Sequence, residues 1–98
     1  MLNMMTYEQF ETAARAAGFD DVLQREWAPG LVLETHRHPF AVKARVARGD
    51  FELIEGERVT RLQAGDEFEL ARDVPHAERY GEQGATVWVA RRHAALAT

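Results

Sequence analysis

Residues 35–43 read THRHPFAVK. His36 and His38 stand either side of one arginine, Pro39 follows, and Lys43 comes soon after. Side chains on a strand alternate between faces, so the two imidazoles point the same way. They lie about 7 Å apart along such a backbone. Imidazole is the commonest side-chain metal ligand near neutral pH, and a curved strand lets both rings reach one ion. The spacing alone also suits an ordinary surface or core feature. The rest of the chain must decide.

Outward from this stretch, the sequence breaks into short runs separated by turn residues. DVLQREW is followed by Pro29-Gly30, then LVLETHRH. FAVKARVA stops at Arg48-Gly49-Asp50, FELIE at Gly56, RVTRLQ at Gly65-Asp66, and EFELA at Asp73-Val74-Pro75. HAERY runs to Gly81, and ATVWVARRH is the last run. Phe51/Leu53 and Phe68/Leu70 alternate with acidic residues, and Val87/Val89 alternate with Trp88, as half-buried strands do. Many short strands at about 8–12 residue spacing predict an all-β sandwich or barrel. Ahead of them, TYEQFETAARAA carries a capping box at Thr6 and Gln9. Phe10, Ala13, Ala14 and Ala17 share one helical face, and Gly18 is a stop signal. The expected layout is one domain over 1–98, with a helix at about 6–17 packing Phe10 and Phe19 onto a barrel at about 22–92. The last residues, AALAT, read as a loose tail.

Composition narrows the function. The chain has 98 residues, no cysteine and a net charge of −4. Disulfides, thiolate ligands and a cysteine nucleophile are excluded. Dispersed arginines on an acidic chain argue against nucleic acid as a partner. No apolar run approaches a membrane span of about 20 residues, and the start shows no signal-peptide pattern. A cytoplasmic protein without membrane association is expected.

Two further features bear on the histidines. Gly30 stands ahead of His36, and Val74-Pro75-His76 follows the Gly65-Asp66 turn and a short strand. With these the sequence resembles the cupin superfamily. Gly30, His36, His38 and Gly49 match its first motif; Gly65 and His76 match its second. Ala71, Asp73 and Tyr80 stand where the second motif has proline, glycine and asparagine. The resemblance covers roughly residues 27–89. It implies an all-β jelly-roll barrel whose histidines and one glutamate converge on a divalent metal.

That glutamate is missing. Lys43 or Val42, according to the count, occupies its place. An inward lysine would oppose a divalent ion by several kcal/mol at an effective dielectric of about 20. Four resolutions are open. Glu34 or Glu78, each two residues from a histidine and so on its face, completes the site or orients its members. Three histidines hold the metal alone, with open positions of the kind catalysis uses. The metal is lost, and His36, His38, Lys43, His76 and Tyr80 line a binding pocket. Or Lys43 faces solvent. Arg45 shares its strand face; the pair either draws an anionic ligand inward or meets the acidic residues of FELIE outside.

The candidate metal set is therefore His36, His38, His76 and Glu78, with Glu34, Phe40, Lys43 and Tyr80 as candidate pocket residues. Fe, Mn, Ni, Cu and Zn all suit histidine-rich sites. The resemblance implies oxygenase- or isomerase-type chemistry on a small polar or carboxylated molecule; the alternative is a non-catalytic ligand-binding or sensor barrel, with or without metal. Trp27 and Trp88 are expected in the core or a dimer interface, His93 in solvent, and Asp20-Asp21 in a turn. A homodimer pairing through outer strands is expected, because it would cover exposed edges.

Overall fold

The computed structural model describes residues 4–93. Helix α1 spans Tyr7–Ala16, and the reciprocal capping box between Thr6 and Gln9 is formed. Phe10 and Ala14 are its buried residues. They meet Phe19 and Ala90, with Val22 and Trp88 packed alongside. The helix is thus a lid on the outside of the sheet. The predicted AALAT tail lies outside the described residues.

Six strands follow: β1 (Asp21–Trp27), β2 (Val32–His36), β3 (Ala41–Glu55), β4 (Arg58–Gln63), β5 (Glu67–Leu70) and β6 (His76–Arg92). All pairings are antiparallel, and the long strands β3 and β6 are the spine. β3 pairs with β5 through its first half and with β4 through its second, while β6 pairs with β1 and with β2. The all-β jelly-roll expectation holds.

One correction concerns the glycines. Arg48-Gly49-Asp50 and Gly81 read as strand stops, yet β3 and β6 continue through them. The β3–β6 register slips between Val46 and Arg48 and again between Gly49 and Phe51. These slips mark β-bulges, which bend a strand without ending it. Gly49 has φ +81°, and a Cβ there would sit 2.0 Å from the Gly84 carbonyl oxygen. Only glycine fits that crossing.

The bends also reverse which side chains point inward. Before the bend in β3, Val42, Ala44 and Val46 are buried; after it, Phe51 and Leu53 are. In β6, His76 and Tyr80 are buried before the bend, and Ala85 and Val87 after it. Each strand therefore serves two walls of one core. Its largest members stack: Trp27 on Tyr80 with centroids 5.3 Å apart, and Tyr80 on Phe51 at 4.8 Å. Such pairs add about 0.5–1.5 kcal/mol beyond the area they bury.

Candidate metal centre

β2 delivers His36 as its last residue, and His38 follows in the connection to β3. That connection is tied down where the Asp73 amide donates to the His38 carbonyl at 2.9 Å. β2 and β6 place His36 directly across from His76. The three imidazoles converge: one ligand nitrogen from each lies within 4.8 Å of the other two. Ring centroids are 4.4 Å apart for His36 and His76, 4.9 Å for His36 and His38, and 5.1 Å for His38 and His76.

Two of the rings are oriented by the same device. His36 Nδ1 lies 2.7 Å from the Glu34 carbonyl oxygen, and His76 Nδ1 lies 2.9 Å from the Val74 carbonyl oxygen. A carbonyl only accepts, so each Nδ1 carries a proton and Nε2 is the nitrogen left facing inward, the atom that would ligate an ion once it carries no proton. This is the outer-shell arrangement found around metal-ligating histidines. His38 is held by stacking on Phe40, at 4.9 Å and 10° between planes. Burial, followed by its two neighbouring histidines, lowers the His38 pKa and keeps that ring neutral. The donor set fits a divalent transition ion.

Glu78 is two residues along β6 from His76 and shares its face. Its Oε2 lies 3.5 Å from both His36 Nε2 and His76 Nε2, and its other oxygen accepts a short hydrogen bond from the Tyr80 hydroxyl. Burial pushes the Glu78 pKa up, but bonds from His76 and Tyr80 outweigh it, and the carboxylate is held ionised. The same bond to Glu78 raises the His76 pKa against the effect of burial. Tyr80, buried and facing that anion, is pushed far above its usual range and stays protonated.

These groups line a cavity of about 120 Å³ whose remaining walls are mostly apolar, among them Leu33, Phe40, Val42 and Val89. Phe40 and Tyr80 are thus in the cavity wall. Two expected pocket residues are not. Glu34 contributes its backbone carbonyl to His36 while its side chain is exposed. Lys43 does not line the cavity and pairs across strands with Glu69. The reason is parity: His36, His38, Phe40 and Val42 all face inward, so the odd-numbered lysine faces out. Val42, not Lys43, stands inside where the resemblance expects a glutamate. Arg45 is outside too, 2.8 Å from Glu67 of β5 and not against FELIE.

Two charged cavity residues escaped the sequence reading. Arg25 of β1 lies over Trp27 at 4.7 Å, and Arg91 of β6 lies over Phe40 at 5.3 Å. Their only sequence signal is that each shares a strand face with apolar inward residues. His93, expected in solvent, is half-exposed but bonds through Nε2 to Asp21 at 2.6 Å. Asp21 opens β1 instead of making a turn, and its pKa is lowered, chiefly by that His93 bond. Trp88 packs beneath α1 and hydrogen-bonds Gln24.

No family model matches the chain, and no curated protein matches it. Solved structures do. An RmlC-like cupin from Shewanella frigidimarina NCIMB 400 superposes with a TM-score of 0.62 at 20% identity, over 71% of this chain and 63% of that one. KdgF from Halomonas sp. gives 0.67 at 21%, over 76% of this chain and 69% of that one. A structure from work on the DMSP lyases RdDddP and RnDddQII gives 0.68 at 24%, over 76% of this chain but only 39% of that one. At these identities the likeness speaks for the backbone. With the antiparallel barrel and the converging histidines, it establishes that the chain has the cupin jelly-roll fold.

Proposed function

We propose that the chain binds one divalent metal ion through His36, His38 and His76, and that Glu78 replaces the carboxylate absent from the first motif. The observation that carries this reading is the position of Glu78. It lies equidistant from two Nε2 atoms that the Nδ1–carbonyl contacts leave facing inward. An ion at the shared focus of the imidazoles has this carboxylate as ligand or near neighbour.

The same geometry favours an enzyme of isomerase type, acting on a small polar or carboxylated molecule. A bound metal would supply Lewis-acid polarisation of a substrate oxygen. The chain's own residues supply the rest. Glu78, held ionised, can take a proton at its carboxylate. Tyr80 steadies that carboxylate by donating to it, and its place between Trp27 and Phe51 fixes the hydroxyl. The apolar walls limit water around the exchange. KdgF and the chain matched in the DMSP lyase work share this fold, which by itself leaves the reaction open. The expected homodimer is part of the proposal, since β4 ends one side of the sheet path with Val59 exposed.

The test is metal analysis of tag-free protein, wild type and His76→Ala. One ion per chain, lost in the variant, is expected. Metal-free wild type after supplementation with iron, manganese, nickel, copper and zinc in turn would sink the reading.

A further inference from the structure

We infer that Asp21 and His93, outside the cavity, position the His38 ring for the metal centre by fixing Phe40. This deepens the metal-centre reading and rests on it for the role of His38 as a ligand.

His38 is the one member of the triad that hydrogen bonds leave free. His36 and His76 are each turned by a backbone carbonyl at Nδ1. Among the described residues no such bond reaches the His38 ring, which instead stacks on the Phe40 ring 4.9 Å away. A ligating imidazole ordinarily has an acceptor on its second nitrogen that fixes its orientation. Here that duty passes to Phe40. Yet Phe40 stands in the connection between β2 and β3, outside either strand, so no ladder fixes its backbone. Its side chain lies where its neighbours hold it.

Those neighbours share one anchor. The His93 ring lies 5.1 Å from the Phe40 ring, and the Arg91 guanidinium lies over it at 5.3 Å. His93 Nε2 and Arg91 Nη2 both bond to the same oxygen of Asp21, Oδ2, at 2.6 Å and 3.1 Å. A continuous series of contacts therefore runs from Asp21 through His93 to Phe40, and on to His38.

A staple for the end of β6 would not need the imidazole. The His93 amide donates to the Asp20 carboxylate at 2.8 Å, and its carbonyl accepts from Arg72 at 3.1 Å. Those two bonds already tie the end of β6 to the residue before β1 and to the connection between β5 and β6. The bond to Asp21 adds the direction of the ring, and that direction is toward Phe40. Nor is the pair built for stability: Asp21 and His93 are 44% and 46% exposed, and ion pairs this open to water contribute little.

The variants are His93→Ala, Asp21→Ala and Asp21→Asn, each made as 13C-labelled, metal-stripped protein. NMR follows the ring protons of His36, His38 and His76. Stacking on Phe40 shields the His38 protons, so loosening it moves them downfield. That shift is expected in His93→Ala and Asp21→Ala, with the His36 and His76 signals unmoved. Asp21→Asn, which keeps an acceptor, should retain most of the wild-type pattern. Zinc competition reads the consequence. Direct partners of metal ligands are worth about 10- to 100-fold, so His93→Ala, one contact further out, should weaken zinc about three- to tenfold. That loss should vanish in a His38→Ala background, where a merely structural role would leave it intact. The proposal is overturned by unmoved His38 signals, by unchanged zinc affinity in His93→Ala, or by an equal loss with and without His38. If His93→Ala does not fold, the Asp21 variants decide by the same signals. Wild type that takes up no ion defeats the metal centre alone, because the His38 signals still report the positioning. Unmoved His38 signals in variants of a zinc-binding protein defeat the positioning alone.

Discussion

Replacing Glu78 with glutamine keeps the shape of the side chain and removes its charge. Glu78 Oε2 is 3.5 Å from each of two imidazole nitrogens. Metal–nitrogen bonds are about 2.0–2.1 Å long, so an ion on those nitrogens lies within ligand distance of the carboxylate or one water away. Unit charges 4 Å apart attract by about 4 kcal/mol at an effective dielectric of 20. Desolvation of a buried carboxylate cancels much of that gain. What remains should resemble the loss of other partners of metal ligands, about 10- to 100-fold in affinity, or roughly 1.4–2.7 kcal/mol. Tyr80 can still donate to the amide oxygen, so the fold should survive. Competition against a chromophoric chelator with zinc or cobalt at neutral pH reads the change directly. Glu78→Gln binding metal as tightly as wild type would show that the carboxylate takes no part, and would refute its role as the missing ligand.

Other outcomes follow from the same geometry. Metal binding requires neutral imidazoles. His38, with its pKa lowered chiefly by burial, sheds its proton earlier on raising the pH than His76, whose pKa its bond to Glu78 raises. Metal affinity should therefore climb through the His76 range and level off above it; chelator competition across pH 5–9, flat throughout, would contradict this. Lys43→Glu should leave metal affinity unchanged, because the side chain is outside the barrel. Its cost should stay within about 1 kcal/mol, from facing Glu69 with like charge, as read by thermal melting. Gly49→Ala should destabilise by at least about 3 kcal/mol, combining a strained φ with a backbone clash; an unchanged urea midpoint would refute the bulge assignment.

The sequence was most legible where parity was unbroken. His36, His38, Phe40 and Val42 keep one alternation, and His76, Glu78 and Tyr80 keep another, so spacing together with the resemblance was enough to group the three histidines. Lys43 misled because the resemblance was counted in residues while the fold counts in faces. The glycines misled differently. A stop and a bulge look alike on paper, because both need a residue free to take positive φ or to tolerate close approach. What separates them is a partner strand bending at the same level, as β6 does at Gly84 opposite Gly49. Arg91 was unreadable for a related reason. Beyond the bend the inward set becomes odd-numbered, and an Arg91-Arg92 pair near the end of the chain reads as surface until that shift is known.

The two tryptophans occupy different compartments of this small protein. Trp27 stacks on Tyr80 inside the cavity, whereas Trp88 lies under the helix on the outer face of the sheet. Their fluorescence therefore reports separate events. A quenching ion such as copper or cobalt at the histidines should darken Trp27 and spare Trp88, while loosening of the helix should do the reverse. With Trp88 replaced by phenylalanine, the barrel becomes a single-fluorophore sensor of its own contents, and occupancy can be followed by light before any substrate is in hand.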